Sequence, residues 1–280
     1  MRQLSVKKVT KAIKELAIET NCVLSSDVKD RILAAEKEET FPVAKDILGK
    51  IRENIEIAKE CDMPLCQDTG VACVFLEIGQ EVRFTGGFIE DAVNEGVRQG
   101  YEEGYLRKSV VKDPLNRENT GDNTPASITY KIVKGDKVRI VFAPKGFGSE
   151  NMSRITMLPP SAGAEGVKDF VVETCREAGA NPCPPIIVGV GIGGTFDKAP
   201  LLAKEALLEP IDKKNPDKFY AGMEKELLER INRLGIGPQG FGGATTALAV
   251  KIKTAPTHIA GLPVAVNINC HVSRHGERIL

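Results

Sequence analysis

Apolar residues recur at three- and four-residue intervals over Val6 to Ala17, Asp27 to Lys37 and Val43 to Glu60, with Ile51, Ile55 and Ala58 on one face. That spacing predicts three amphipathic helices. Ser25, Ser26 and Asp27 supply cap residues for the second. Residues 1–62 therefore read as a helical layer.

After Gly70 the pattern changes. Val71 to Ile78 is an apolar run of strand character, Thr85-Gly86-Gly87 reads as a turn, and Phe88 to Gln99 returns to helical spacing. Ile128 to Val133 and Lys137 to Phe142 alternate around Lys134-Gly135-Asp136, which predicts a hairpin. Ala162 to Ala178, Lys198 to Leu208 and Lys218 to Leu234 read as helices. Ile186 to Val190, Thr246 to Lys253 and Val264 to Ile268 read as strands. Helices and strands mix without a regular βαβ period, so the fold class expected is α+β, a mixed or antiparallel sheet core with the helical N-terminal layer. No repeat, low-complexity tract or linker interrupts residues 1–280, which read as a single domain.

Composition narrows the function. Thirty-eight basic and 38 acidic residues cancel, so the charge points to no nucleic-acid or anionic-membrane partner. No apolar run approaches the roughly 20 residues of a membrane-spanning helix. Seven cysteines, an odd number without the dense spacing of a disulfide framework, lead us to expect a reduced, cytoplasmic protein acting on small molecules.

Three cysteines stand at Pro-flanked or strand-end positions rather than inside a regular element: Cys66 in Pro64-Leu65-Cys66-Gln67-Asp68-Thr69-Gly70, Cys183 in Asn181-Pro182-Cys183-Pro184-Pro185, and Cys270 in Asn267-Ile268-Asn269-Cys270-His271. Such positions present a thiol instead of packing it. Three thiolates suit an iron-sulfur cluster or zinc and leave one coordination position open, as a catalytic metal requires. Spacing alone does not separate the two metals. A competing local site would use Cys61, Cys66 and Cys73, but Cys73 falls in the apolar run after Gly70.

Glycines gather in Lys145 to Asn151, Gly189 to Gly194 and Gly235 to Gly243. Loops of this kind either bring backbone N–H groups to an anion or simply turn tightly. Gly189, Gly191 and Gly194 formally satisfy GxGxxG, so NAD binding is weighed. The second strand ending in an acid that this fingerprint needs is lacking around Leu207 to Lys214.

Pro64 to Gly70, Lys145 to Asn151, Pro182 to Pro185 and Ala255-Pro256-Thr257-His258-Ile259-Ala260-Gly261 together resemble the class I, iron-sulfur-dependent fumarases and the related L-tartrate dehydratases. The likeness runs from about Cys61 to His271 and keeps the cysteine motifs in order. It implies that Cys66, Cys183 and Cys270 hold a [4Fe-4S] cluster with one iron lacking a protein ligand. It also implies that this chain corresponds to the N-terminal half, or alpha subunit.

From the same resemblance follow the remaining expectations. Arg107 grips a carboxylate of a small dicarboxylate substrate, for which its planar fork is suited. His258 contacts substrate, whereas His271 and His275 have weaker claims; Gln67 and Asp68 adjoin Cys66 and so reach the same small cavity, the alternative for Asp68 being a cap on the turn into Thr69-Gly70, and Gly148 offers its backbone to a carboxylate. The reaction expected is interconversion of (S)-malate with fumarate and water, the alternative being L(+)-tartrate dehydration. No base for the carbon proton is evident beyond Asp68 or His258, so a beta subunit is expected to supply the remaining catalytic residues, within a higher oligomer. Outside this class stand a noncatalytic iron-sulfur sensor or scaffold and a zinc hydrolase.

Overall fold

The structure, a computed structural model, describes all 280 residues. Strand β1 (Arg2–Ser5) is followed by helices α1 (Val6–Cys22), α2 (Ser26–Glu38) and α3 (Pro42–Glu60). Strands β2 (Val71–Gly79) and β3 (Val82–Thr85) precede α4 (Ile89–Glu103). Then β4 (Ser127–Val133) and β5 (Val138–Lys145) lead into the short helix α5 (Phe147–Glu150). Next come β6 (Arg154–Leu158), α6 (Gly163–Ala178), β7 (Ile186–Gly193), α7 (Lys198–Ala206) and α8 (Lys218–Asn232). The chain closes with β8 (Ala247–Ala255), β9 (Leu262–Asn269) and β10 (Gly276–Ile279). The class is α+β, with mixed sheets as the pattern predicts.

The residues gather into two compact units. Met1–Leu24, Glu56–Phe147 and Arg274–Leu280 form the first; Ser25–Ile55 and Gly148–Ser273 form the second. The helices expected as one N-terminal layer are shared out, α1 in the first unit and α2 in the second. Ser25 takes the cap position of α2, but its hydroxyl makes no capping bond.

In the first unit the sheet order is β10-β5-β2-β4. The predicted hairpin is therefore corrected: β4 and β5 flank β2, which pairs parallel with β4 and antiparallel with β5. Burial supplies the reason. Residues 72–76 of β2 are all buried, so an edge position would leave an apolar strand uncovered. The Lys134–Asp136 connection instead crosses the end of β2, where Gly79 N–H donates to Lys137 O (2.8 Å) and Gln80 N–H to Val133 O (2.8 Å). Against this sheet pack Ile13 and Leu16 of α1 with Val93 and Val97 of α4.

The second unit carries the sheet β6-β9-β7-β8. β7 is buried along its whole length, parallel to β8 and antiparallel to β9. Its apolar side chains meet Val171 of α6 and Leu227 of α8. On the opposite face α7 lies so close that a Cβ on Gly189 would fall 2.2 Å from Ala203 O and one on Gly191 2.0 Å from Ala199 O. These glycines thus serve strand–helix packing. They do not form a phosphate-binding turn at a helix start, and the NAD reading falls with them. No helix in the structure is long and apolar enough to cross a membrane.

Candidate functional site

In the first unit the segment Cys66–Gly70 links α3 to β2 and is tied down through its main chain. Tyr101, buried in α4, donates its hydroxyl to Thr69 O (2.7 Å) and stands 3.1 Å from Gly70 O. Burial raises the Tyr101 pKa, so this hydroxyl stays a donor. Asn123, fully buried, donates to Gly70 O (3.1 Å) and accepts from Ser109 N–H (2.7 Å). The Thr69 hydroxyl donates to Arg107 O (3.1 Å), which sets the Arg107 backbone beside the segment and leaves its side chain exposed. Gly70 has φ +74°, and a Cβ there would lie 2.7 Å from the Lys145 backbone, so the two loops touch.

Asp68 braces this turn. One carboxylate oxygen accepts from Gly70 N–H (3.0 Å) and the other from Phe147 N–H (2.9 Å), the residue before Gly148. Arg274, 5% exposed, donates from Nη2 to Asp68 O. Cys66 is half-buried, its Sγ 3.4 Å from Gln67 Oε1. Within this unit the structure brings Cys66, Gln67, Asp68 and the Arg107 backbone together. Tyr101, Asn123 and Arg274 complete the arrangement and were not singled out from the sequence. An asparagine inside Gly121-Asp122-Asn123-Thr124-Pro125 was the one signal available.

In the second unit two of the proposed ligand segments meet although they lie far apart in the chain. Cys183 sits at φ +54° in the turn after α6 and is exposed. Its carbonyl is 3.0 Å from His271 Nδ1, which donates to it in the Nδ1-protonated form. The strand register explains the meeting: Ile187 of β7 pairs with Asn269 of β9, so the start of one strand faces the end of the other. Gln239, at φ +52°, donates from both its N–H and its side-chain amide to Pro184 O (2.8 Å each) and fixes the same turn. Gln239 belongs to the third glycine loop and was not named as a site residue from sequence.

Gly148 stands at this end too. A Cβ on it would be 3.7 Å from Asn181 O, two residues before Cys183. The loop is anchored by Glu150, whose carboxylate takes Lys204 (2.5 Å) and the Asn267 side-chain amide (2.6 Å). His258 does not join them. It follows β8, whose end Ala255 pairs with Gly193 at the far end of β7. That places it a full β9 of eight residues, roughly 25 Å, from the Cys270 end. There His258 Nδ1 accepts from Ala260 N–H (3.2 Å), and the residue is exposed.

Backbone N–H groups in the first glycine loop and just after the third do meet an anion, but one from the protein itself. Asp68 takes Phe147 N–H, and buried Glu39 takes the N–H groups of Thr40, Phe41 and Ala244 at 2.8–3.0 Å.

The thiols divide by environment. Cys22, Cys73 and Cys175 are buried, and burial pushes the Cys175 thiol up to about 12, far from thiolate formation. Cys66, Cys183 and Cys270 are exposed or half-buried, which leaves their sulfurs accessible. No group of three His, Cys, Asp or Glu side chains, the two proposed cysteine trios included, is gathered closely enough to hold a metal ion; against the local site with Cys61 and Cys66 stands the burial of Cys73 in β2. A soft, anionic metal centre fits the soft donors, and it also fits the cation at Arg274, whose Nε and Nη1 are buried without an acceptor.

Comparison with known proteins defines the class. The profile of the family described as Fumarate hydratase (Fumerase) matches residues 10–278, and the chain belongs to that family, a family of hydro-lyases. Among individual proteins it is 46% identical over 273 residues to "Putative L(+)-tartrate dehydratase subunit alpha" of Methanocaldococcus jannaschii, covering 95% of each chain. It is 32% identical over 283 residues to L(+)-tartrate dehydratase subunit alpha of Escherichia coli K12, covering 100% of this chain and 93% of that one.

Proposed function

We propose that this chain is the alpha subunit of an iron-sulfur hydro-lyase that interconverts (S)-malate with fumarate and water. The observation that carries the reading is the pairing of the Cys183 turn with the segment after Cys270, inside a family of hydro-lyases. Cys66, Cys183 and Cys270 are the residues that hold the metal centre. When bound, a [4Fe-4S] cluster with one iron lacking a protein ligand supplies the Lewis acid that polarises the departing hydroxyl.

The chain's own residues bind and orient. Arg107, exposed, takes one substrate carboxylate through its two-pronged guanidinium. The Gly148 backbone serves another carboxylate, and Gln67 donates from its amide. Asp68 has both carboxylate oxygens engaged by backbone N–H groups, so its part is to keep Gln67 and Cys66 in place, and the base for the carbon proton comes from the beta subunit. His258 stands at the wrong end of its sheet to reach Cys183 and Cys270 of its own chain. Its contact with substrate is therefore made in a second copy, which agrees with an oligomeric enzyme.

L(+)-tartrate dehydration is the second reading, favoured by the names of the relatives. The substrates differ by a hydroxyl, and a site built to pair that group discriminates strongly. Steady-state rates of the anaerobically reconstituted chain with its beta subunit on malate, fumarate and L-tartrate decide. Turnover of malate and fumarate above tartrate is expected; the reverse order assigns the tartrate reaction. No lyase activity on any of the three, with iron bound, overturns the enzyme reading in favour of a sensor or scaffold. Absence of iron and sulfide overturns the cluster.

A further inference from the structure

Arg274, like Lys145, is a buried cation of the first unit, and its guanidinium has two nitrogens without an acceptor. Its Nη2 donates to Asp68 O, while Nε and Nη1 are buried with no acceptor. Its charge acts on the Cys22 thiol and the Tyr101 hydroxyl, both raised by burial, and the Asp68 carboxylate acts on the same Tyr101 hydroxyl in the opposite direction. Asp62, the other charge acting on Cys22, is exposed on the turn after α3. The Asp68 carboxylate keeps its charge but directs its hydrogen bonds to Gly70 N–H and Phe147 N–H, so the free guanidinium nitrogens of Arg274 gain no acceptor from it. A guanidinium held out of water with two unused donors is costly unless an anion lies near it.

The chain around it says where that anion is. Asp68 is two residues from Cys66, and its carbonyl is the one group that Arg274 holds. Three thiolates outweigh the charge of an oxidised four-iron core, so a centre bound through Cys66 is anionic. We propose that Arg274 has two roles toward that centre: it positions the Cys66–Asp68 turn through the Asp68 carbonyl, and it is the resident counter-charge. The inference rests on Cys66 being a metal ligand, as proposed above. Counter-charges and hydrogen bonds around such centres set their potential and their hold on metal.

Two variants separate the roles. Arg274→Gln removes the charge and keeps an amide donor; Arg274→Lys keeps the charge and loses the planar fork. The test uses the chain together with its beta subunit, reconstituted anaerobically. Iron and sulfide content, iron retention against a chelator, midpoint potential, and KM and kcat are measured for each protein. Melting of the metal-free protein checks the fold. For Arg274→Gln, chelator-driven iron loss is expected to be about tenfold faster or more, with a lowered midpoint potential, since removing a nearby cation disfavours the reduced centre. For Arg274→Lys the potential is expected to stay near that of the wild type while KM rises, as Gln67 moves with the turn.

An Arg274→Gln protein that melts like the wild type and keeps its iron retention and potential overturns the counter-charge. An Arg274→Lys protein with wild-type KM overturns the positioning role, and it decides that point even if the glutamine variant does not fold. A wild-type protein that retains no iron at all removes the metal centre itself, and this inference with it, a result distinct from the variant outcomes.

Discussion

The two units present their chemistry by opposite means. In the first, the segment bearing Cys66 is irregular chain made rigid by buried polar groups: Tyr101, Asn123, Asp68 and Arg274 all bond to or within it. In the second, Cys183 and Cys270 ride on the ends of β7 and β9, so an apolar sheet core decides where they stand. A turn without a ladder of its own must have its main-chain groups satisfied by side chains, whereas strand register delivers the same precision through packing. The first arrangement is the one more easily loosened by a single polar deletion. The second yields chiefly to changes in the core, with Gln239 holding the Cys183 turn at the strand end.

The largest expected effect tests whether the units contribute equally. Cys66→Ala in the first and Cys270→Ala in the second are each expected to lose bound iron and lower turnover by more than about a hundredfold, beyond the loss usual for residues behind a metal ligand. A Cys66→Ala protein that keeps its iron would confine the metal to the second unit and break the comparison. Next comes the division within the second unit. Chains carrying His258→Asn and chains carrying Cys183→Ala are each expected to be inactive alone, yet active when assembled together, because one intact site can form between copies. Hybrids as dead as their parents would place His258 outside the reaction.

Smaller effects sharpen the contrast in what holds each region. Gly191→Ala drives a methyl into α7 at Ala199 and is expected to destabilise the protein by about 3 kcal/mol, read by denaturant unfolding. Tyr101→Phe removes the hydroxyl that serves Thr69 and Gly70 and is expected to cost about 1–2 kcal/mol, with a rise in KM that Gly191→Ala does not show. If the two variants change KM alike, the sheet rather than the polar network positions the first unit's turn.

Much of the fold was legible because its signals are local. Periodicity located α1, α2, α3, α4, α6, α7 and α8 to within about five residues, since one buried stripe per helix repeats at the helical period. The apolar run of β2 and the short strand β7 were equally plain. The strands β1, β3, β6 and β10 are four or five residues long and carry too little pattern to be read. The hairpin of β4 and β5 failed for a different reason. A turn sequence reports that the chain reverses, and which strand fills the space between depends on the burial of β2, a distant segment.

The candidate site divides in the same way. Cys66, Cys183 and Cys270 could be singled out because proline and strand ends mark presented thiols, and such marks are written along the chain. The residue types, and with them the chemistry available, were thus determined by the sequence by itself, along with membership in a family of hydro-lyases. Tertiary structure alone decided that Cys183 meets the segment after Cys270, that His258 lies at the opposite end of their sheet, and that Arg274 is buried against Asp68. Those facts come from pairing and burial between residues far apart in the chain, where each contact depends on the position of every strand between them.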